Sequence, residues 1–310
     1  MNSYLIVGAG PVGSTIANKL AAAGHHVKVL TRSGSGPHHP NITLLTGDAS
    51  DAAVVAEGAR DTSAIFNCAN PPYHRWAQDW PPMHRALLAA GESTGSVLVM
   101  MDNLYALGPD TRMPMTERSV MRATGTKGAV RRAMAEELLA AHAGQRVKAT
   151  IVRASDFFGP GVTGSAFGER VIPNVIAGKK VGLLGGLDVP HSVSYMPDVA
   201  DTMIAAATNP VAWGRAWQVP NSPARTQREI VAGFAAAAGT PARVNAMPKV
   251  LLSALGLFVP LMRELKETWY QFEGPWITDS TKTSTTLGVA ATSFDVGAAA
   301  TVAWWKTRAT

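Results

Sequence analysis

Tyr4-Leu5-Ile6-Val7-Gly8-Ala9-Gly10-Pro11-Val12-Gly13-Ser14 lies near the start of a 310-residue chain and joins a short β-rich apolar run to an alanine-rich helical pattern, Ser14 to Ala23, closed by Gly24. Gly8, Gly10 and Gly13 carry the spacing G-x-G-x-x-G directly after a strand and at the opening of a helix. In that setting the first glycine permits a tight turn, the second lets backbone approach a pyrophosphate, and the third allows close helix packing. The helix opening at Pro11 and Val12 turns its free N–H groups and positive dipole end toward the phosphates. A second strand, Val27 to Leu30, completes a βαβ unit.

The alternation continues outward. Ile42–Leu45, Ala64–Cys68, Val97–Met101 and Ala149–Val152 are further apolar strands separated by helical stretches. This predicts an α/β fold, a Rossmann-type doubly wound parallel sheet covered on both faces. Beyond about residue 160 proline and glycine thicken, through Gly159-Pro160-Gly161, Gly178 and Gly185-Gly186, and the alternation fades. Helical patterns there span Val199–Ala207, Gln227–Ala238 and Pro248–Leu257. The expected division is a dinucleotide-binding domain over 1–165, to which 190–220 return, and a smaller, mainly C-terminal substrate lobe from 166–189 and 221–310.

Composition narrows the function. With 46% apolar residues the chain can build a core, and the longest apolar run, Val250–Met262, is too short and too broken by Ser253, Gly256 and Pro260 to cross a membrane. One cysteine, Cys68, rules out a disulfide framework and a cysteine-rich zinc site, and eight scattered histidines show no metal spacing. Met1-Asn2-Ser3 runs straight into a strand without a basic leader, so a cytoplasmic protein is expected. The net charge of +6 comes from dispersed basic residues, never a run of the kind that binds nucleic acid. The expected partner is a small molecule, with neither nucleic acid nor membrane, and the chain is expected as a monomer or homodimer.

At the end of the second strand an NAD site would carry an Asp or Glu for the ribose hydroxyls. Thr31-Arg32-Ser33 stands there instead. A hydroxyl followed by a guanidinium suits a 2′-phosphate, which predicts NADP as cofactor ahead of NAD. Gly47-Asp48, after the third strand, brings Asp48 toward the adenine edge. Tyr73, His74, Arg75, Trp76 and Trp80, interleaved with Pro71-Pro72 and Pro81-Pro82, read as a proline-braced aromatic loop that walls a pocket, with Arg75 or His74 meeting an anion.

With these pieces in order the chain resembles the extended branch of the short-chain dehydrogenase/reductase superfamily, the NAD(P)-dependent epimerases and dehydratases. The resemblance rests on the glycine turn, Gly47-Asp48, Ile65–Ala69, Val97–Gly108, Lys127, Arg153-Ala154-Ser155-Asp156-Phe157-Phe158-Gly159-Pro160-Gly161, and Ser192-Val193-Ser194-Tyr195-Met196-Pro197-Asp198-Val199-Ala200. It implies that Ala69, Lys127 and Ser155 contact the cofactor. It also implies that Tyr73, Asn103, Asp156, His191 and Tyr195 face the substrate. The family signature is Tyr-x-x-x-Lys, and with Lys127 as its lysine the tyrosine position holds Ala123. The family hydroxyl before the Tyr-Gly of the fifth strand falls on Met101. In the related 4,6-dehydratases the next two positions are an acid and a base, here Asp102 and Asn103. Asp102, flanked by Met100, Met101 and Leu104, is expected in apolar surroundings that would let it donate a proton near neutrality, with Tyr105 next in line and Lys127 on the ribose. Glu264 to Tyr270 reads as an amphipathic helix.

The function expected is that of an NADP-binding oxidoreductase or lyase with a non-standard proton donor, acting on a small anionic or sugar-like substrate. Two other readings stand beside it: a reductase of an activated C=C bond, and a non-catalytic NADP(H) redox sensor that binds a protein partner.

Overall fold

The computed structural model describes residues 1–247, 264 and 266–308. Six strands, β1 (Ser3–Val7), β2 (His26–Thr31), β3 (Ile42–Thr46), β4 (Ala64–Asn67), β5 (Val97–Asp102) and β6 (Ala149–Arg153), form a parallel sheet with a seventh, Ala216–Gln218. From one edge the order is Ala216–Gln218, β6, β5, β4, β1, β2, β3. The chain therefore reverses direction across the sheet between β1 and β4, the place where open α/β sheets bind ligands beyond their carboxyl ends. β1, β4 and β6 are buried almost throughout, as strands covered on both faces must be.

Helices α1 (Pro11–Ala22), α2 (Ala52–Ala59), α3 (Trp76–Thr94) and α4 (Thr126–Ala143) connect these strands. In α1, Pro11 occupies the first turn, where its missing N–H costs nothing, and Val12, Ile16 and Leu20 recur at intervals of four on the buried face. Asp51 caps α2 by accepting from the Ala53 and Val54 amides. The expected loop around Trp76–Pro82 is instead the start of α3, with Pro81 and Pro82 inside the helix. Those rings deny donors to the carbonyls one turn earlier, and burial of Trp76 and Trp80 offsets the loss.

Beyond β6, α5 (Ile172–Ile176), α6 (Met196–Thr208) and α7 (Gln227–Ala238) follow. α6 packs against α1, and its Met196, Val199, Ala200 and Met203 belong to the same apolar cluster as Ile6, Ile16 and Val99. The Val199–Ala207 pattern is thus part of the sheet's covering layer. A separate cluster joins Ile172, Val175, Ile230, Phe234, Phe294 and Trp305, tying α5 and α7 to the C-terminal helix Phe294–Lys306. The Pro248–Leu257 pattern lies outside the described residues. Glu264–Tyr270 falls partly outside them; Glu264 is helical, and 266–268 form a turn leading into a 3₁₀ turn, Trp269–Phe272. Among the described residues no helix is long and apolar enough to cross a membrane, and no group of three or more His, Cys, Asp or Glu side chains is placed to hold a metal.

Candidate functional site

A cleft of about 910 Å³ runs along the carboxyl ends of β1, β2, β4, β5 and β6. Its first half is backbone. Gly8 sits at φ +96°, and a Cβ there would lie 2.7 Å from the Ala69 amide nitrogen; a Cβ at Gly13 would lie 1.9 Å from the Gly8 carbonyl oxygen. At Gly10, the N-cap of α1, a Cβ would meet nothing within 4 Å. Two glycines thus close the turn on itself while the middle one faces open space, the shape a pyrophosphate needs beside a helix N-terminus. Pro11, Val12, Thr31, Arg32, Ser33, Asp48 and Ala69 line this half. The Ser50 amide and then its hydroxyl, each 2.8 Å from Asp48, hold that carboxyl below its ordinary value.

The second half is made of side chains from distant segments. Tyr73, Asp102, Asn103, Tyr105, Arg131, Ser155, Asp156 and Gln271 line it. The Asn103 side chain accepts from the Tyr105 amide at 3.0 Å and fixes the turn after β5. Asp156 Oδ2 lies 2.7 Å from Nε2 of His191, whose ring is buried and stacked on Phe272 with centroids 5.1 Å apart. Cys68 also lines the cleft, but burial pushes its thiol far up, which makes it a poor nucleophile.

Three expectations change. The surroundings of Asp102 are not apolar: Oδ2 accepts from Arg153 Nε at 3.1 Å, and Oδ1 lies 3.6 Å from Arg131 Nη1. Two buried guanidiniums thus flank the carboxylate, which the neighbouring sequence of methionines and leucine could not reveal. Lys127 does not line the cleft. Its Nζ lies 2.5 Å from Glu264 and 3.3 Å from Glu267, and its amide donates to Glu267 at 2.6 Å, so the lysine ties the N-terminus of α4 to the C-terminal segment. Tyr195, expected against substrate, lies in the core formed with Phe158 and Phe234, again away from the cleft.

Ala123 is not on α4 at all. It precedes the helix, wedged where Cβ atoms at Gly108 and Gly128 would meet it. The two long polar side chains one turn apart on the buried face of α4 are Lys127 and Arg131. Arg131 is 6% exposed, with its guanidinium 4.8 and 4.3 Å from the Trp76 and Trp80 ring centroids. Burial lowers its pKa, while Asp102 foremost opposes that shift. The missed signal is the pattern itself: Arg131 falls four residues after Lys127 and in register with Met134, Ala135 and Leu138.

Among the described residues, three buried polar atoms at the cleft lack a hydrogen-bond partner: the acceptor Asp102 Oδ1 and two donors, Arg131 Nε and Ser155 Oγ. Orphaned donors beside a glycine cradle fit a dinucleotide bound along the cleft.

The comparisons agree with this architecture. The description "NAD dependent epimerase/dehydratase family" matches residues 4–219. An epimerase from Methanothermobacter thermautotrophicus superposes with a TM-score of 0.83 at 17% identity, over 99% of this chain and 93% of that one. UDP-glucuronic acid 4-epimerase from Bacillus cereus, in complex with UDP-glucuronic acid and NAD, gives 0.79 at 16%, over 99% of each chain. dTDP-glucose 4,6-dehydratase from Bacillus anthracis, in complex with NAD, gives 0.79 at 15%, over 99% and 97%. No curated protein matches the chain. Likeness at such identities shows the fold, and the family match extends over most of the sequence; the chain belongs to the NAD dependent epimerase/dehydratase family.

Proposed function

We propose that the chain is an NADP(H)-dependent oxidoreductase or lyase acting on a small anionic or sugar-like substrate. The observation that carries the cofactor choice is the end of β2, where Thr31, Arg32 and Ser33 line the cleft and no carboxylate stands in the ribose position. Arg32 is exposed there and free to fork a 2′-phosphate. A bound nicotinamide dinucleotide supplies or takes up a hydride. Gly8, Gly10 and Gly13 would cradle its pyrophosphate, and Asp48 and Ala69 would border the nucleoside end.

Toward the nicotinamide we assign the cation to Arg131 rather than Lys127, because Arg131 reaches the cleft while two glutamates hold Lys127. Asp102 then acts as the anchor that fixes Arg131 and Arg153. Asp156, held by the buried His191 behind it, and Asn103 would meet polar groups of the substrate. Reduction of an activated C=C bond is the second reading. It is favoured because the two positions where the family carries its hydroxyls hold Met101 and Ala123.

Titration of NADPH and NADH by nicotinamide fluorescence tests the proposal. NADPH is expected to bind at least about tenfold more tightly, with the preference lost in Arg32→Ala. Arg131→Met should weaken both cofactors, whereas Lys127→Met should leave their affinity near the parent value. Equal affinities for the two cofactors would refute the NADP assignment, and a cofactor-binding defect confined to Lys127→Met would return the ribose contact to the lysine.

A further inference from the structure

Tyr73 reaches the cleft from the 3₁₀ turn Tyr73–Arg75 that follows β4, and Tyr105 reaches it from the turn that follows β5. Their hydroxyls are hydrogen-bonded to each other. The rings meet edge to face with centroids 6.4 Å apart, and Trp76 packs against both at 4.7 and 6.0 Å. The Trp76 indole is itself fixed by donating to the Pro71 carbonyl at 3.0 Å. Two phenols from separate loops are thus clamped by one buried indole at the mouth of the substrate half.

We propose that Tyr73 is the proton donor of this site, with Tyr105 donating a hydrogen bond to its oxygen and Arg131 supplying the nearby positive charge. This rests on the dinucleotide reading above. The family tyrosine position holds Ala123; a phenol carried on the turn after β4, beside Lys127 of α4, takes over its task.

Burial, first of all, raises the Tyr73 hydroxyl to about 12, so the phenol holds its proton until a stronger base develops on the substrate oxygen. Either hydroxyl can donate in the bond between the phenols. What separates the two is their surroundings: Lys127 Nζ lies 5.6 Å from the centroid of the Tyr73 ring, and burial pushes Tyr105 well above the ordinary value. Arg131 also favours the Tyr73 phenolate, while the Asp156 carboxylate opposes ionisation of both rings. The cations beside Tyr73 make it the phenol that can part with its proton, and Tyr105 the partner that retains one.

In the reductive direction a substrate carbonyl carbon would gain a hydride, one proton with two electrons, from the reduced nicotinamide dinucleotide. The C=O π pair moves to oxygen and forms the new O–H bond with the Tyr73 proton. The Tyr73 phenolate left behind accepts the Tyr105 hydrogen bond until a solvent proton restores it. The reverse sequence serves oxidation of the alcohol.

The test needs no substrate. Oxidised NADP carries a positive nicotinamide ring, which should lower the ionisation pH of an adjacent phenol by about one unit or more, whereas NADPH should not. The tyrosinate absorbance of the five-tyrosine protein is followed against pH with NADP, with NADPH and without cofactor. We expect one NADP-dependent step, absent in Tyr73→Phe and shifted to higher pH in Tyr105→Phe, with cofactor affinity and melting temperature of both variants checked in parallel. A step that survives in Tyr73→Phe and disappears in Tyr105→Phe would make Tyr105 the acid. Dinucleotide binding without any Tyr73-dependent step would overturn this inference alone, and absence of dinucleotide binding would overturn the cofactor reading with it.

Discussion

The two halves of the cleft are built by different physics. The phosphate half is centred on contiguous backbone: Gly8 to Gly13 form one turn whose geometry depends on missing Cβ atoms. The chemical half uses side chains from β5, β6, α4 and the loop after β4, and its central ion group, Asp102, Arg131 and Arg153, is buried. A turn tolerates sequence change elsewhere. A buried network instead couples every member to the others, because an unpaired charge in low dielectric is costly.

The sharpest way to break this contrast is Asp102→Asn, which leaves two buried guanidiniums without their carboxylate. A loss of roughly 3–5 kcal/mol in unfolding free energy is expected by chemical denaturation. A loss under about 1 kcal/mol would mean that water or another group already neutralises the arginines, and the network would not be the structural unit described.

Behind the same half, His84 on α3 is fully buried, with Nε2 3.4 Å from Glu137, and neither ring nitrogen has a hydrogen-bond partner. Burial foremost, then Arg131 and Arg85, pull its pKa from 6.5 to about 4. Between those values the unfolded chain takes up a proton that the folded one refuses. Stability is thus full above pH 6.5 and falls as the pH drops toward about 4. The swing should approach about 3 kcal/mol. Thermal melts between neutral pH and pH 4 should show it, and His84→Gln should flatten the profile. A parent profile no steeper than the variant's would reject the neutral buried imidazole.

For the phosphate half, Gly13→Ala forces a Cβ against the Gly8 carbonyl, so the turn must open. We expect about 1–3 kcal/mol of destabilisation together with loss of measurable dinucleotide binding. Retained binding would show that the turn can shift without cost and that the contrast is overstated. Arg32→Ala marks the small end of the scale. The side chain is exposed, so stability should change by less than about 0.5 kcal/mol while cofactor preference changes. A larger stability loss would place Arg32 in the fold rather than at the ligand.

The parallel sheet was legible because its cause is local. Apolar runs of four to six residues alternate with helical patterns, and the glycine spacing states where the first turn must close; β1 through β6 lie where those runs lie. Motif counting along α4 failed for an equally physical reason. Four residues make one turn only if both lie on the helix, and Ala123 does not, because the helix begins at Thr126. Lys127 and Arg131 satisfy that spacing, yet nothing in a string of letters tells which of two cations will meet carboxylates from residues 264 and 267 and which will meet Asp102.

The sequence by itself determined the backbone-built features: the order of strands and helices, the dinucleotide turn at Gly8–Gly13 and the uncharged end of β2 at Thr31-Arg32-Ser33. These depend on sterics and periodicity within a few residues. The tertiary structure alone decided that Asp102 faces two guanidiniums, that two glutamates hold Lys127, that Tyr195 packs inside and that Tyr73 meets Tyr105 across two loops. Each of these is a contact between residues tens to more than a hundred positions apart, or the burial such contacts impose. Charge pairing and desolvation act through space, so only the folded chain sets which groups they join.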